Sequence, residues 1–170
     1  NKNFYQKEYK QDNDLTTDLP DDIQLRNLLS DNFRGSNKDL SHKIDILNKI
    51  DQNAHLKIID YGASWGYSSF QFLKAGFSVQ AYEISRPRAA FGQKLGINIL
   101  TEENLLGGNV DIFFNSHVIE HVPDIKHLFL IARQLLTEDG YFVAYCPNGS
   151  KEFETRNAYV FHKFWGQVHP

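Results

Sequence analysis

The sequence of 170 residues has no methionine, one cysteine, five prolines and no run of lysine and arginine. Each shortage excludes something. Cys146 is alone and cannot form an internal disulfide, so a disulfide-framed secreted domain is out and a reducing, cytoplasmic setting is expected. Lys+Arg number 18 against 21 Asp+Glu, a net charge of −3. That balance gives a nucleic-acid or anionic-membrane partner no electrostatic support. No apolar run approaches the roughly 18–20 residues of a membrane span, and no signal peptide precedes the domain. Methionine is missing even at position 1, so the sequence reads as one lacking its natural start. Nothing in it speaks to oligomeric state.

What is present is ordinary for a globular chain: 41% hydrophobic and 23% charged residues, enough for one domain with a substantial core. Residues 1–40 mix Phe4, Tyr5, Tyr9 and Phe33 with charges and show no clean period. They read as a leader or lid segment, and 41–170 as the domain. Ser41 caps a helix carrying Ile44, Leu47 and Ile50. Lys57–Tyr61 is a first strand, Gly62–Gly66 a turn, and a helix follows to Ala75 with Phe70 and Leu73 inward and Gly76 as its stop. Ser78–Ile84 is a second strand. Ser85 and Pro87 start a helix that Gly96 ends. Ile97–Leu100 is a third strand. Val110–Asn115 is a fourth, nearly continuous in apolar residues, as suits a strand buried on both faces. Pro123 opens a helix with a stripe of Ile125, Leu128, Phe129, Ala132, Leu135 and Leu136. Thr137–Gly140 is a turn, and Tyr141–Cys146 is a fifth strand with Cys146 as an inert core thiol.

Strands alternating with helices predict an α/β fold, a Rossmann-like doubly wound, mostly parallel sheet with right-handed crossovers. Ligands in such folds bind at the carboxyl ends of the strands, at the switch in strand order. The first strand ends Asp60-Tyr61-Gly62-Ala63-Ser64-Trp65-Gly66, where glycines permit a tight turn and free helix amides face a ligand. Glu83 follows 23 positions after Asp60 (83 − 60), at the tip of the neighbouring strand, where a carboxylate suits ribose hydroxyls. The fourth strand runs into Asn115-Ser116-His117-Val118-Ile119-Glu120-His121-Val122-Pro123-Asp124. His117, Glu120 and His121 share one face of a helical turn. That set suits a divalent metal, a brace for the loop, or acid/base work, and the residues alone leave these open.

Taken together, IIDYGASWG, Glu83, VDIFFNSHVIEHVPD and LLTEDGYFVAYCPN resemble the motifs of class I S-adenosylmethionine-dependent methyltransferases, in the small-molecule branch, over roughly residues 57–148. The resemblance implies S-adenosylmethionine as cofactor, S-adenosylhomocysteine as product and a small-molecule acceptor, with oxygen favoured and a sugar or other secondary metabolite in view. It places Asp60, Gly62, Ala63, Ser64 and Gly66 around the methionine part, Glu83 on the ribose, and Ile84, Thr101 and Glu102 near the adenine. Asn115 and Ser116 form the floor under the transferable methyl. His117, His121 and His169 are the candidate acids and bases, Tyr5 and Tyr9 candidate lid residues, and no metal is assigned. The family often has glycine at Ser64 and a small residue at Trp65, whose ring here is expected over the cofactor or the sheet. The family's sheet usually has seven strands; five are legible, so the domain reads as C-terminally incomplete. Two rivals are a nicotinamide oxidoreductase, disfavoured because the turn is not G-x-G-x-x-G, and a non-catalytic scaffold.

Overall fold

A computed structural model describes residues 19–50 and 55–162. The strands are Lys57–Tyr61 (β1), Ser78–Tyr82 (β2), Ile99–Leu100 (β3), Val110–Ser116 (β4) and Leu136–Tyr145 (β5). Helices Asp22–Ser30 (α1) and Ser41–Ile50 (α2) precede β1. Helices Tyr67–Lys74 (α3), Arg86–Lys94 (α4) and Ile125–Leu135 (α5) join successive strands, and Lys151–Arg156 (α6) follows β5. All strand pairs are parallel, in the order β3-β2-β1-β4-β5. The chain winds outward from β1 to β3, then returns to lay β4 against the other side of β1.

Strand side chains alternate between faces, and the core follows that rule. Ile58, Ile112 and Phe114 pack with Leu47 of α2 and Phe72 of α3. Ile59, Tyr61 and Phe113 pack with Leu128 and Ala132 of α5 on the opposite face. Close approach sets the third contact: a Cβ at Gly92 of α4 would stand 2.7 Å from the Trp65 carbonyl oxygen and 2.3 Å from Ile99 Cδ1.

Several expectations change. In α3 the core residue is Phe72, whereas Leu73 is 42% exposed. Its inward face is otherwise Ser68, Ser69 and Gln71. These pass as core because each is satisfied: both serine hydroxyls donate to Asp60, and Gln71 receives the Leu40 amide at 2.9 Å and donates to the Lys38 carbonyl at 2.8 Å. In α5 the buried stripe is narrower, Leu128 and Ala132, with Ile125 and Phe129 exposed and Leu136 already in β5. The expected turn at Thr137–Gly140 lies inside β5. Pairing jumps there from Val110↔Leu136 to Ile112↔Tyr141, so five steps on β5 oppose two on β4 (141 − 136 against 112 − 110). The strand absorbs the turn as a bulge. Cys146 lies just past β5 and is exposed rather than a core thiol.

Helix α1 has no counterpart in the sequence expectations. It buries no residue, yet Leu25, Leu28 and Leu29 stand at i, i+3 and i+4 and Asp21 and Gln24 close a capping box at 2.8 and 3.0 Å, so its signal was present in the sequence. Phe33, in the left-handed region at φ 63°, is 1% exposed. Its ring packs 6.0 Å from Trp65 and 5.9 Å from Phe70. Tyr5, Tyr9 and His169 lie outside the described residues.

Candidate functional site

A cavity of about 360 Å³ opens at the strand tips, where the winding reverses between β1 and β4. This is within the size range of small-molecule sites. One wall comes from the ends of β1 and β2: Gly62, Ser64, Tyr82, Glu83 and Ile84. The facing wall comes from the end of β4 and the approach to α5: Ser116, His117, Val118, His121 and Asp124. The walls meet at Gly62, which has φ 82° and where a Cβ would stand 2.4 Å from Val118 Cγ2. Glycine is therefore needed there for closure of the two loops as well as for the turn.

Glu83 anchors the first wall. Its Oε2 accepts from the Ser64 amide at 2.8 Å and its Oε1 from the Ser85 amide at 2.7 Å. Burial holds its carboxyl above the usual range, against the Ser85 amide, the Arg88 charge and the Ser64 amide. Ser64 has φ 53°, and its Oγ is buried without a hydrogen-bond partner among the described residues.

The floor carries an aromatic pair and a hydrogen-bond chain. The Tyr61 and Tyr82 rings lie 4.8 Å apart. The Tyr61 hydroxyl donates to Glu103 Oε1, and Glu103 Oε2 is 3.1 Å from His127 Nε2. Burial first, and then the Glu103 carboxylate, push both phenols up.

The second wall is built differently. His117 has φ 55°, and its amide donates to the Tyr145 carbonyl at 2.8 Å. Its Nδ1 stands 3.4 Å from Glu120 Oε1. At that distance Nδ1 faces the carboxylate, and both Glu120 oxygens are buried without a hydrogen-bond partner among the described residues. Burial raises the Glu120 carboxyl, but His117, the residue's own amide and His121 together outweigh it and leave the group below its ordinary value. Ser64 and His117, both non-glycine residues in left-handed backbone, thus face each other across one cavity, the kind of place where such strain collects.

Solved structures with the same arrangement include methyltransferases. An S-adenosyl-L-methionine-dependent methyltransferase of Methanococcus maripaludis superposes with a TM-score of 0.58 at 15% identity, over 90% of this chain and 78% of its own. An S-adenosylmethionine-dependent methyltransferase of Mesorhizobium loti matches with a TM-score of 0.50 at 23% identity, over 59% of this chain and 51% of its own. A glycopeptide N-methyltransferase complexed with sinefungin matches with a TM-score of 0.50 at 18% identity, over 59% and 51%. The chain has the class I methyltransferase fold. It spans about half the length of the Mesorhizobium protein. No protein-family model matches the sequence, and no curated protein does.

Within this methyltransferase fold, the residues singled out from sequence divide. Gly62, Ser64, Glu83, Ile84, Ser116, His117 and His121 line the cavity; Asp60, Ala63, Gly66, Thr101, Glu102 and Asn115 do not. Asp60 is withdrawn to the α3 side, where Ser68 and Ser69 bond its Oδ2. Burial raises its carboxyl, opposed by those two hydroxyls and by Lys43. The turn amides also point inward: Gly62 and Ala63 donate to the Tyr82 carbonyl at 2.8 and 2.9 Å, and Gly66 to Ala63 at 2.8 Å. The expected free amides are therefore spent on the fold. Trp65 is fully buried among Phe33, Tyr67 and Phe91 rather than over the cavity. Glu103, not Glu102, reaches the wall after β3.

Sequence reasoning missed Lys43, Tyr61, Tyr82 and Glu103. Lys43 of α2 donates to Ser116 Oγ at 2.7 Å and lies 4.6 Å from the Tyr145 ring centre. Burial lowers its ammonium against the pull of Asp60. Its signal was available: Lys43 and buried Leu47 are i and i+4, so they share a face. Among the described residues, no group of three or more His, Cys, Asp and Glu is placed to hold a metal. No helix among them is long and apolar enough to cross a membrane.

Proposed function

We propose that the protein catalyses S-adenosylmethionine-dependent methyl transfer to a small-molecule acceptor, releasing S-adenosylhomocysteine. The observation that carries this reading is Glu83, fixed by two backbone amides at the tip of β2 beside the partnerless Ser64 hydroxyl. A buried hydroxyl without a partner is costly, and a ligand held by Ser64 and Glu83 supplies one. Glu83, Glu103 and Asp124 in the walls also suit a cationic ligand. The ribose falls to Glu83 and the adenine to Ile84, with Thr101 and Glu102 behind it. The methionine part falls to Gly62 and Ser64, with Asp60, Ala63 and Gly66 shaping the turn. Ser116 lies under the transferable methyl, with Asn115 behind it. The cofactor supplies, when bound, a sulfonium methyl whose departure leaves a neutral thioether. The chain's own work is to align the acceptor and exclude water, with His117, His121 and His169 as the groups able to move a proton.

The acceptor atom we favour is oxygen, on a sugar or other secondary metabolite, in a cytoplasmic protein that binds no nucleic acid. We assign residues 1–40 as a leader or lid segment and 41–170 as the cofactor-binding domain. Calorimetric titration with S-adenosylmethionine, S-adenosylhomocysteine and NAD tests the reading. Saturable binding of the first two and none of NAD is expected; binding of NAD alone, or of none, overturns it.

A further inference from the structure

We infer that Glu120 orients His117 as the proton acceptor of this site, and that the acceptor substrate is therefore an alcohol or a phenol rather than a carboxylate. The inference rests on the methyl-transfer reading above and deepens it.

The Glu120 carboxylate has no ordinary reason to be where it is. The Glu120 side chain is 14% exposed, and among the described residues neither oxygen has a hydrogen-bond partner. Taking a carboxylate out of water is costly unless a charge or donor replaces the lost solvent. The groups that offset this are the imidazoles of His117 and His121, and both line the cavity. The backbone fixes which nitrogen faces which way. The His117 amide is tied to Tyr145, its φ of 55° turns the residue out of the β4 line, and Nδ1 is the atom directed at Glu120. An imidazole that carries its proton on Nδ1, toward a carboxylate, leaves Nε2 as a free acceptor. The His117 side chain is 59% exposed, so that acceptor is open to a ligand.

Such a pair serves an acceptor that carries a proton it must lose, as a hydroxyl does and a carboxylate does not. A carboxylate arrives already ionised and needs no base, and its charge would be repelled by Glu120 nearby. A hydroxyl must lose its proton. In the transfer, methyl replaces hydrogen on the acceptor oxygen and the carbon–sulfur pair stays on sulfur. The proton passes to Nε2 of His117, and ionised Glu120 balances the imidazolium. His117 is then the catalytic residue and Glu120 a positioning residue.

Long-range ¹H–¹⁵N spectra of the full chain test this without an activity assay, with His117→Gln used for assignment. Neutral His117 is expected as the Nδ1–H tautomer. Glu120→Ala should lose that preference, and Glu120→Gln, which keeps an acceptor oxygen, should restore it. An Nε2–H tautomer in the wild type overturns the inference, as does a tautomer unchanged in Glu120→Ala. The wild-type and Glu120→Gln spectra decide the question even where Glu120→Ala does not fold. Phenol and benzoate are then titrated into protein with S-adenosylhomocysteine. Phenol should shift the Nε2 resonance and benzoate should not; any other pattern overturns the acceptor class. Failure to bind S-adenosylhomocysteine would sink the methyl-transfer reading while leaving the tautomer result standing, so the two failures are distinct.

Discussion

The two walls of the cavity solve the same problem by opposite means. Each carries a carboxylate drawn away from solvent, Glu83 at the tip of β2 and Glu120 in the turn that follows β4. Glu83 is saturated by main-chain amides of Ser64 and Ser85, so its position is fixed by the fold itself. Glu120 has no hydrogen-bond partner among the described residues and leans on two imidazoles. A charge held by backbone can be kept in one place through many ligands. A charge held by side chains is cheap to move or exchange. The first arrangement suits a constant ligand and the second a variable one.

The largest effect should come from behind the first wall. Trp65→Ala removes a fully buried ring and should cost about 3–5 kcal/mol in urea unfolding. His121→Ala on the facing wall should shift stability by less than about 1 kcal/mol. Similar losses from both would erase the contrast. Next is ligand affinity. Glu83→Ala should weaken S-adenosylhomocysteine binding by about 1.5–3 kcal/mol in calorimetry, while Glu120→Ala leaves it nearly unchanged. Equal losses would mean that the walls share one ligand.

A pH comparison sharpens the point. Burial raises the carboxyl of Asp60 in the folded protein. A raised acid binds more protons folded than unfolded, so its contribution to stability is present below the unfolded value and is lost as pH rises through the folded one. Asp60→Asn should therefore flatten the decline in urea midpoint from about pH 4 upward. A decline as steep as in the wild type would show that Asp60 is not its source. The smallest effect is expected at Lys43. Lys43→Met forfeits the bond to Ser116 and the approach to Tyr145, and should cost about 0.5–1 kcal/mol in the same unfolding assay.

The contrast also explains what was legible in the sequence. Glycine turns, a strand-end acid at fixed spacing and alternating apolar runs encode backbone placement, and β1, β2, β4 and the Gly62–Gly66 turn appeared where expected. Polar burial is written in no period. The Ser68, Ser69 and Gln71 face of α3 and the withdrawal of Asp60 depend on partners far along the chain or across a turn. Thr137–Gly140 looked like a turn because its residues favour one, and strand pairing on either side drew it into β5. Glu103 and Tyr61 reach one another only after the sheet forms, 42 positions apart.

Phe33 sets a limit on where the polypeptide can be cut. Its ring is lodged against Trp65, the residue next to cavity-lining Ser64, and Leu40 is buried beside Leu47 and Phe72. A protease clipping ahead of α1 should leave a species that still melts in one step. Cleavage just after Phe33 would uncork Trp65 and release the glycine turn with it. A shortened version begun at Ser41 would lack the Phe33 packing behind the glycine turn and would be expected to lose cofactor affinity together with cooperativity.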